Sequence, residues 1–317
     1  MNDHRFARFS DRVYLWSDVS TFISEADWCD GIHAVQLQDG SSLDVLIRGN
    51  LQKRASNTDT WPIFFNGAVD RSKGDPPFFS GSTLAAELDR PVISIADPTL
   101  AVGNDLGIGW YTGNPGSNAQ EVIATLISAL KRDLKEEIVL VGGSAGGFAA
   151  LYFGVCTRTS AFVWNPQVDL LRYAPAYVRP YLSQVLSDGA WAGGVSEILR
   201  DTPEVDHALA SRELHARGIE HVVGDTMSIP RLLYLQNQSD SHELRHARPL
   251  REREGFVAVD DGVYANGGRI MVVGHFAAGH RQPPREIIHK GLKAVLDVRS
   301  DLIKEAKDLL THCEAVL

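Results

Sequence analysis

The residue with the clearest chemical meaning is Ser144, which lies in the segment Gly-Gly-Ser-Ala-Gly-Gly at 142–147. The G-x-S-x-G frame surrounds the serine with small residues, as is required where a serine occupies a strained turn between a strand and a helix. The flanking segments fit this turn, because residues 137–141 predict a strand and residues 148–153 predict a buried helix. A serine in this position is a candidate nucleophile.

A serine hydroxyl is a weak nucleophile at neutral pH, so the chemistry also needs a base and a carboxylate. Asp240 follows a predicted strand at 231–236, and His280 follows a predicted strand at 269–273. A neutral imidazole suits the role of base near pH 7, and a carboxylate holds the ring in one tautomer. Ser144, Asp240 and His280 are therefore candidate catalytic residues, and the assignment of their roles follows from the family resemblance given below.

The base and the acid each have an alternative. His275 follows the same strand as His280, but Gly279 frees the backbone before His280 and two prolines at 283–284 restrain the loop after it. His280 is favoured as the base on this ground. Asp169 follows an earlier predicted strand and is the alternative acid.

Short apolar strands alternate with helical segments along most of the chain, which predicts a mostly parallel sheet with helices on both faces. The first two strands alternate around Asp39-Gly40, which is a hairpin signal. The eight predicted strands are 33–37, 43–48, 61–65, 91–96, 138–141, 161–164, 231–236 and 269–273. Amphipathic helices are predicted at 120–134 and from about 285 to 312. The segment 166–228 carries helical patterns without a convincing strand, so it is interpreted as a helical insertion.

The count of eight strands, with the serine turn after the fifth, resembles the α/β-hydrolase fold from about residue 30 onward. The resemblance implies one domain over 1–317 with a helical cap at 166–228, an acid after the seventh or sixth strand and a histidine after the eighth. It also implies an oxyanion hole made by the backbone N–H of Ala145 and the loop after the third strand, where Gly67 and Ala68 are candidate donors beside Asn66. That loop departs from the His-Gly-Gly-Gly loop of lipase-like esterases, so the resemblance extends to the fold and not to that subfamily.

Composition excludes several classes of protein. Hydrophobic residues make up 44% and charged residues 22%, which is typical of a globular protein. The net charge of −9 argues against binding to nucleic acid and to anionic membranes. The N-terminus is polar and no apolar stretch approaches the length of a membrane span, so neither a signal peptide nor a span is predicted. The three cysteines are far apart, which favours reduced thiols and a cytoplasmic location.

These features together predict a serine hydrolase that cleaves a carboxylic ester or a related acyl bond through an acyl-enzyme. The expected partner is a small-molecule or glycan-linked acyl substrate, and no cofactor or metal is implied. Thioester cleavage and acyl transfer to another alcohol use the same residues and stay open as alternatives. The oligomeric state is also open.

Two other functions compete with this prediction. The segment 242–246 reads His-Glu-Leu-Arg-His, which matches the H-E-x-x-H zinc motif with Glu243 as general base. Pro249 is expected to cut such a helix short, and Arg245 and Arg248 are unsuited to a buried zinc helix, so a surface or pocket-rim helix is favoured. The same residues are also candidates for positioning Asp240. A non-catalytic binding protein on this fold is the other alternative.

Two further segments, Asp97-Pro98-Thr99 and Asn165-Pro166-Gln167, follow predicted strands. They would lie at the carboxyl edge of the sheet, where open α/β sheets bind ligands. Local turn formation explains the same residue types, so both interpretations are kept.

Overall fold

A single twisted sheet of eleven strands organises the protein. The computed structural model describes residues 4–49, 51, 60–134, 137–187, 198–199 and 205–314. The strands are β1 (Val13–Trp16), β2 (Gly31–Gln36), β3 (Ser42–Arg48), β4 (Thr60–Phe65), β5 (Val92–Ile95), β6 (Glu137–Gly143), β7 (Ser160–Trp164), β8 (Leu232–Asn237), β9 (Val257–Asp260), β10 (Val263–Asn266) and β11 (Arg269–Gly274). Their spatial order is β1-β2-β3-β5-β4-β6-β7-β8-β11-β10-β9.

All eight predicted strands are present, but the sheet has three more than the sequence predicted. The additional strands are β1, β9 and β10, which lie at the two edges of the sheet. Strands β4 to β8 and β11 run parallel, whereas β3 pairs antiparallel with β2 and β5. The extra edge strands were missed because each is only four residues long, and so short an apolar run does not distinguish a strand from a helix or a loop.

Helices cover both faces of this sheet, as predicted. They are α1 (Val19–Glu25), α2 (Ser82–Glu87), α3 (Ala119–Leu134), α4 (Ala145–Thr157), α5 (Pro175–Val185), α6 (His207–Ala216), α7 (Arg248–Arg253), α8 (Arg285–Leu296) and α9 (Leu302–Glu314). Helices α1, α3 and α4 pack in one buried apolar cluster, and α2, α8 and α9 pack in a second on the opposite face. Among the described residues, no helix is both long and apolar enough to cross a membrane.

The predicted C-terminal helix from about 285 to 312 is two helices, α8 and α9. Asp297 adopts an extended backbone conformation after α8, which ends the helix. Asp301 then accepts hydrogen bonds from the backbone N–H groups of Ile303 and Lys304, as a capping residue does at a helix start. The continuous apolar stripe concealed this break because both helices bury the same face against the sheet.

The insertion predicted between the sixth and seventh strands lies between β7 and β8. Its described part holds α5, α6 and two short 3-10 turns, and Asp169 and Val222 form an isolated bridge within it. The predicted helical pattern at 195–199 falls mostly outside the described residues. That this segment acts as a cap stays a prediction.

The turn between β6 and α4 requires glycine on both sides of Ser144. A Cβ atom on Gly142 would lie 2.1 Å from the carbonyl oxygen of Gly146, and one on Gly146 would lie 2.4 Å from the carbonyl oxygen of Phe65. Both neighbours are backbone atoms, which cannot move aside as the end of a flexible side chain could. The two glycines let α4 begin directly against the ends of β4 and β6.

We expect Gly142→Ala to lower the free energy of unfolding by about 1–3 kcal/mol, because the added methyl group overpacks the turn. Gly224→Ala is the matched control, since its Cβ would lie 3.4 Å from the nearest atom, a Val155 methyl group. Urea denaturation of both variants measures the difference. Equal stability of the two variants would show that the turn has room to relax.

Candidate active site

Ser144 occupies the sharp turn between β6 and α4, with φ 54° and ψ −118°. A positive φ is uncommon for a residue with a side chain, and such strain is stored mainly at functional sites. The Ser144 N–H donates to the carbonyl oxygen of Trp164 at 3.0 Å, which ties the turn to the end of β7. The strained backbone lifts the serine hydroxyl above the carboxyl edge of the sheet.

The structure brings Ser144, Asp240 and His280 together. His280 Nε2 lies 2.8 Å from Ser144 Oγ, and His280 Nδ1 lies 2.6 Å from Asp240 Oδ2. An ionised carboxylate only accepts hydrogen bonds, so Nδ1 carries the proton and Nε2 is free to accept from the serine hydroxyl. The exposed His275 is not part of this arrangement. His280, the favoured base, thus contacts Ser144, and Asp240, the favoured acid, contacts His280.

Asp240 is held as an ion in a buried position. Burial opposes its ionisation, but hydrogen bonds from the His280 ring and from the His242 backbone N–H outweigh this, and the pKa of Asp240 is lowered. The backbone N–H of His242 donates to Asp240 Oδ1 at 3.0 Å. The carboxylate is therefore fixed on both oxygens and ready to orient His280.

Two asparagines at the ends of neighbouring strands hold the loop that carries His280. Asn237 Nδ2 donates to the carbonyl oxygens of Gly279 and Arg281, at 3.0 and 2.6 Å. Asn165 Nδ2 donates to the Arg281 carbonyl at 3.0 Å, and Asn165 Oδ1 accepts from the Asn237 N–H at 2.7 Å. Asn165 was predicted only to lie at the carboxyl edge of the sheet, and no role was predicted for Asn237, because both asparagines act through contacts that are distant in sequence.

A cavity of about 750 Å³ opens beside Ser144. The three predicted oxyanion donors lie close to it: Gly67 and Ala68 line its wall, and Ala145 is the first residue of α4. The N–H groups of a first helical turn have no partner within the helix. Tyr173 and Tyr177, from the insertion, and Arg285, from α8, also line the cavity.

The alternative acid Asp169 belongs to a second Ser-His-Asp grouping. Ser211 Oγ lies 2.8 Å from His221 Nε2, and His221 Nδ1 lies 3.4 Å from Asp169 Oδ1 without a hydrogen bond. Ser211 sits in the middle of α6 and not on a strained turn. This second grouping lacks the strained turn on which Ser144 lies. Ser211 can therefore serve as a control for Ser144.

The H-E-x-x-H segment has one buried and one exposed side: His242, Glu243 and His246 are buried, whereas Leu244 and Arg245 are exposed. Residues 243–247 form a π-helical turn that continues directly into α7, so Pro249 lies in the first turn of α7 and does not end the helix. Glu243 is paired with Arg248 and Arg251, each at 3.2 Å. A carboxylate neutralised in this way is poorly suited to act as a general base.

The two histidines of this segment are held as neutral rings. His242 Nδ1 donates to the Asn165 carbonyl at 3.1 Å, and His246 Nδ1 accepts from the Val168 N–H at 3.4 Å. Donor atoms of Asp240, His242 and His280 lie within 4.8 Å of one another, a spacing that can hold a metal ion. Asp240 and His280 are also joined by the hydrogen bond that orients His280, and His246 is not part of this group.

Comparisons with known proteins bear on the fold. The sequence model of an uncharacterised protein family (UPF0227) matches residues 98–182, which include Ser144. No curated protein sequence matches the chain. The capsule O-acetyltransferase of Neisseria meningitidis serogroup A is similar, with a TM-score of 0.52 and 14% identity over 81% of this chain and 94% of that chain. The structure of a mutant of that enzyme in complex with CoA has a TM-score of 0.53 and 14% identity, over 84% of this chain and 95% of that chain.

The chain has the α/β-hydrolase fold. A glycosylation-associated protein complex from Streptococcus agalactiae is also similar, with a TM-score of 0.51 and 14% identity over 80% of this chain. This chain spans only 43% of that longer chain. The eight predicted strands form the sheet of the fold, and β1, β9 and β10 extend it at its edges.

The buried histidines generate a prediction about stability. Burial lowers the pKa of His242 to about 4 and that of His246 to about 3, both below the ordinary value of 6.5. The unfolded chain therefore binds more protons than the folded chain below pH 6.5, and the free energy of unfolding falls as the pH drops through this range. Each histidine contributes up to about 1.4 kcal/mol per pH unit.

Urea denaturation between pH 5 and 6.5 tests this dependence. His246→Asn keeps an acceptor for the Val168 N–H but cannot be protonated, so we expect it to lose stability less steeply on acidification than the wild type. His275→Asn, at an exposed position, is the control and should keep the wild-type slope. Identical slopes for wild type and His246→Asn would contradict the assignment of His246 as a buried neutral ring.

Proposed function

We propose that the protein is a serine hydrolase that cleaves carboxylic esters through an acyl-enzyme on Ser144. The observation that carries this proposal is the continuous hydrogen-bonded chain from Asp240 through His280 to Ser144, placed on a strained turn that faces a cavity. Nucleophile, base and orienting acid are within hydrogen-bond reach of one another, which is the geometry that activates a serine.

The proposed acylation follows from these positions. Ser144 Oγ attacks the carbonyl carbon of the substrate as its proton passes to His280 Nε2. Asp240 stabilises the imidazolium that forms. The oxyanion lies against the N–H of Ala145 and those of Gly67 or Ala68, and each such donor typically contributes about 2.7–4 kcal/mol to stabilising the transition state. His280 then returns the proton to the departing alcohol.

Deacylation uses the same groups in reverse. His280 takes a proton from water, which attacks the acyl carbon and releases Ser144. An alcohol in place of water would give acyl transfer, and a thioester donor would give thioesterase or transferase chemistry. The similar capsule O-acetyltransferase, whose structure is also known with CoA, is a reason to assay acyl-CoA donors beside simple esters. The insertion at 166–228, which contributes Tyr173 and Tyr177 to the cavity, is the proposed determinant of the acceptor.

Labelling by a fluorophosphonate probe tests the activated serine. We expect the purified protein to be labelled, Ser144→Ala to abolish labelling, and Ser211→Ala to leave it unchanged. Ser211 is the matched control because its hydroxyl also contacts a histidine near an aspartate. Treatment with a chelator should have no effect.

Two outcomes would contradict the proposal. Labelling lost in Ser211→Ala and retained in Ser144→Ala would move the reactive serine to α6. An unlabelled wild-type protein that contains zinc and loses ester hydrolysis on chelation would favour a metal site that includes His242.

The orienting acid gives an independent prediction. Asp240→Asn preserves the size of the side chain but no longer fixes the tautomer of His280, so kcat should fall by about 10³–10⁴-fold. Asp169→Asn is the control and should leave kcat within about twofold of wild type. Steady-state hydrolysis of p-nitrophenyl acetate measures both. A small loss in Asp240→Asn with a large loss in Asp169→Asn would reverse the assignment of the acid.

A further inference from the structure

A second side chain, besides His280, contacts the hydroxyl of Ser144. Gln167 Nε2 lies 2.9 Å from Ser144 Oγ, and the Gln167 side chain is fully buried. Gln167 follows β7 at the start of the insertion, and its backbone N–H lies 3.4 Å from the Ser144 carbonyl oxygen. Gln167 was predicted to lie at the carboxyl edge of the sheet, but no specific role was predicted for it.

The orientation of the Gln167 amide is determined by Trp110. The indole Nε1–H of Trp110 lies 3.1 Å from Gln167 Oε1, and an indole nitrogen only donates. The amide oxygen must therefore face Trp110, which leaves the NH₂ group facing Ser144. Trp110 itself is fully buried, has φ 54° and packs edge-on against Tyr181 with ring centroids 5.1 Å apart.

In this geometry Ser144 Oγ takes part in two hydrogen bonds. The oxygen accepts from Gln167 and donates its own proton to His280 Nε2. One lone pair is left to attack a carbonyl carbon in the cavity. A donor aimed at Oγ also favours the negative charge that builds there as the proton leaves, and a hydrogen bond to a charged group is stronger than one to a neutral group.

We propose that Gln167 is a fourth catalytic residue, and that Trp110 positions it. In acylation the O–H bond of Ser144 breaks, its proton goes to His280, and the oxygen bonds to the acyl carbon while Gln167 keeps its own N–H. The bond from that carbon to the substrate's alcohol oxygen breaks, and the alcohol leaves with the proton from His280. In deacylation a water gives a proton to His280 and bonds to the acyl carbon. Ser144 Oγ then leaves that carbon and takes the proton from His280, and the Gln167 donor stabilises the oxygen as it departs. This inference rests on the proposed serine chemistry.

The second-order rate constant of fluorophosphonate labelling and the kinetics of ester hydrolysis test the role of Gln167. Gln167→Met keeps the length of the side chain and removes the donor, so we expect a loss of about 10- to 100-fold in both rates. The loss should fall on kcat with KM within about twofold, because the donor acts on charge that develops during the reaction. Gln167→Glu, which puts an acceptor against Oγ near neutral pH, should lose at least as much.

Trp110→Phe and Tyr181→Phe separate positioning from packing. Trp110→Phe keeps a ring but removes the N–H that orients Gln167, so a loss of about 2- to 10-fold in kcat is expected. Tyr181→Phe removes a buried hydrogen bond to Thr112 Oγ1, 2.9 Å long, in the same aromatic cluster without touching Gln167. It should lower stability to urea and leave the labelling rate unchanged.

The outcomes distinguish this inference from the proposed function. A wild-type protein that is labelled at Ser144, together with a Gln167→Met variant labelled at the wild-type rate, would overturn the role of Gln167 alone. Rate losses that merely follow stability, equally in Gln167→Met and Tyr181→Phe, would also overturn it. Absence of labelling in the wild type would overturn the serine chemistry, and this inference with it.

Discussion

The left-handed backbone at Ser144 is the constraint on which the rest of the site depends. A non-glycine residue at φ 54° is held there only when its surroundings leave no alternative. Here β6 and β7 fix the entry to the turn, α4 fixes the exit, and Gly142 and Gly146 remove the methyl groups that would keep these elements apart. The hydroxyl is consequently presented at one point, and each partner has to be brought to that point from another strand end.

A buried carboxylate organises the loop behind the oxyanion candidates. Asp97, at the end of β5, accepts hydrogen bonds from the backbone of Gly109 and Tyr111, while burial raises its pKa to about 6. Trp110 and Tyr111 both have positive φ, so the loop is strained and needs such anchoring. The Tyr111 hydroxyl accepts from the Asn66 N–H at 2.6 Å, next to Gly67. One loop thus supports both the Asn66–Ala68 wall and, through Trp110, the Gln167 amide.

The central strands could be predicted from local apolar runs, and the grouping of Ser144, Asp240 and His280 from the strand ends at which the α/β-hydrolase fold, which the sequence resembles, carries its catalytic residues. The sequence was insufficient wherever the deciding contact is distant in sequence or the element is short. The edge strands β1 and β9 are only four residues long, and the hydrogen bond between Trp110 and Gln167 joins residues 57 positions apart. A surface or pocket-rim helix was predicted for the H-E-x-x-H segment because of its charged arginines, and Arg245 is exposed; the ion pairs of Glu243 with Arg248 and Arg251, which allow Glu243 to be buried, could not be predicted.

The two Ser-His-Asp groupings contain the same residue types but differ in their surroundings. Ser211 and His221 are as close as Ser144 and His280, yet Ser211 lies within α6, and its histidine is not hydrogen-bonded to Asp169. The grouping at Ser144 has, in addition, a strained turn, a cavity and a donor from Gln167. Gln167, Tyr173 and Tyr177 all belong to the insertion that follows β7. The segment that lines the cavity therefore also contacts Ser144, and under the proposed mechanism we expect changes in its sequence to alter acceptor choice and serine reactivity together.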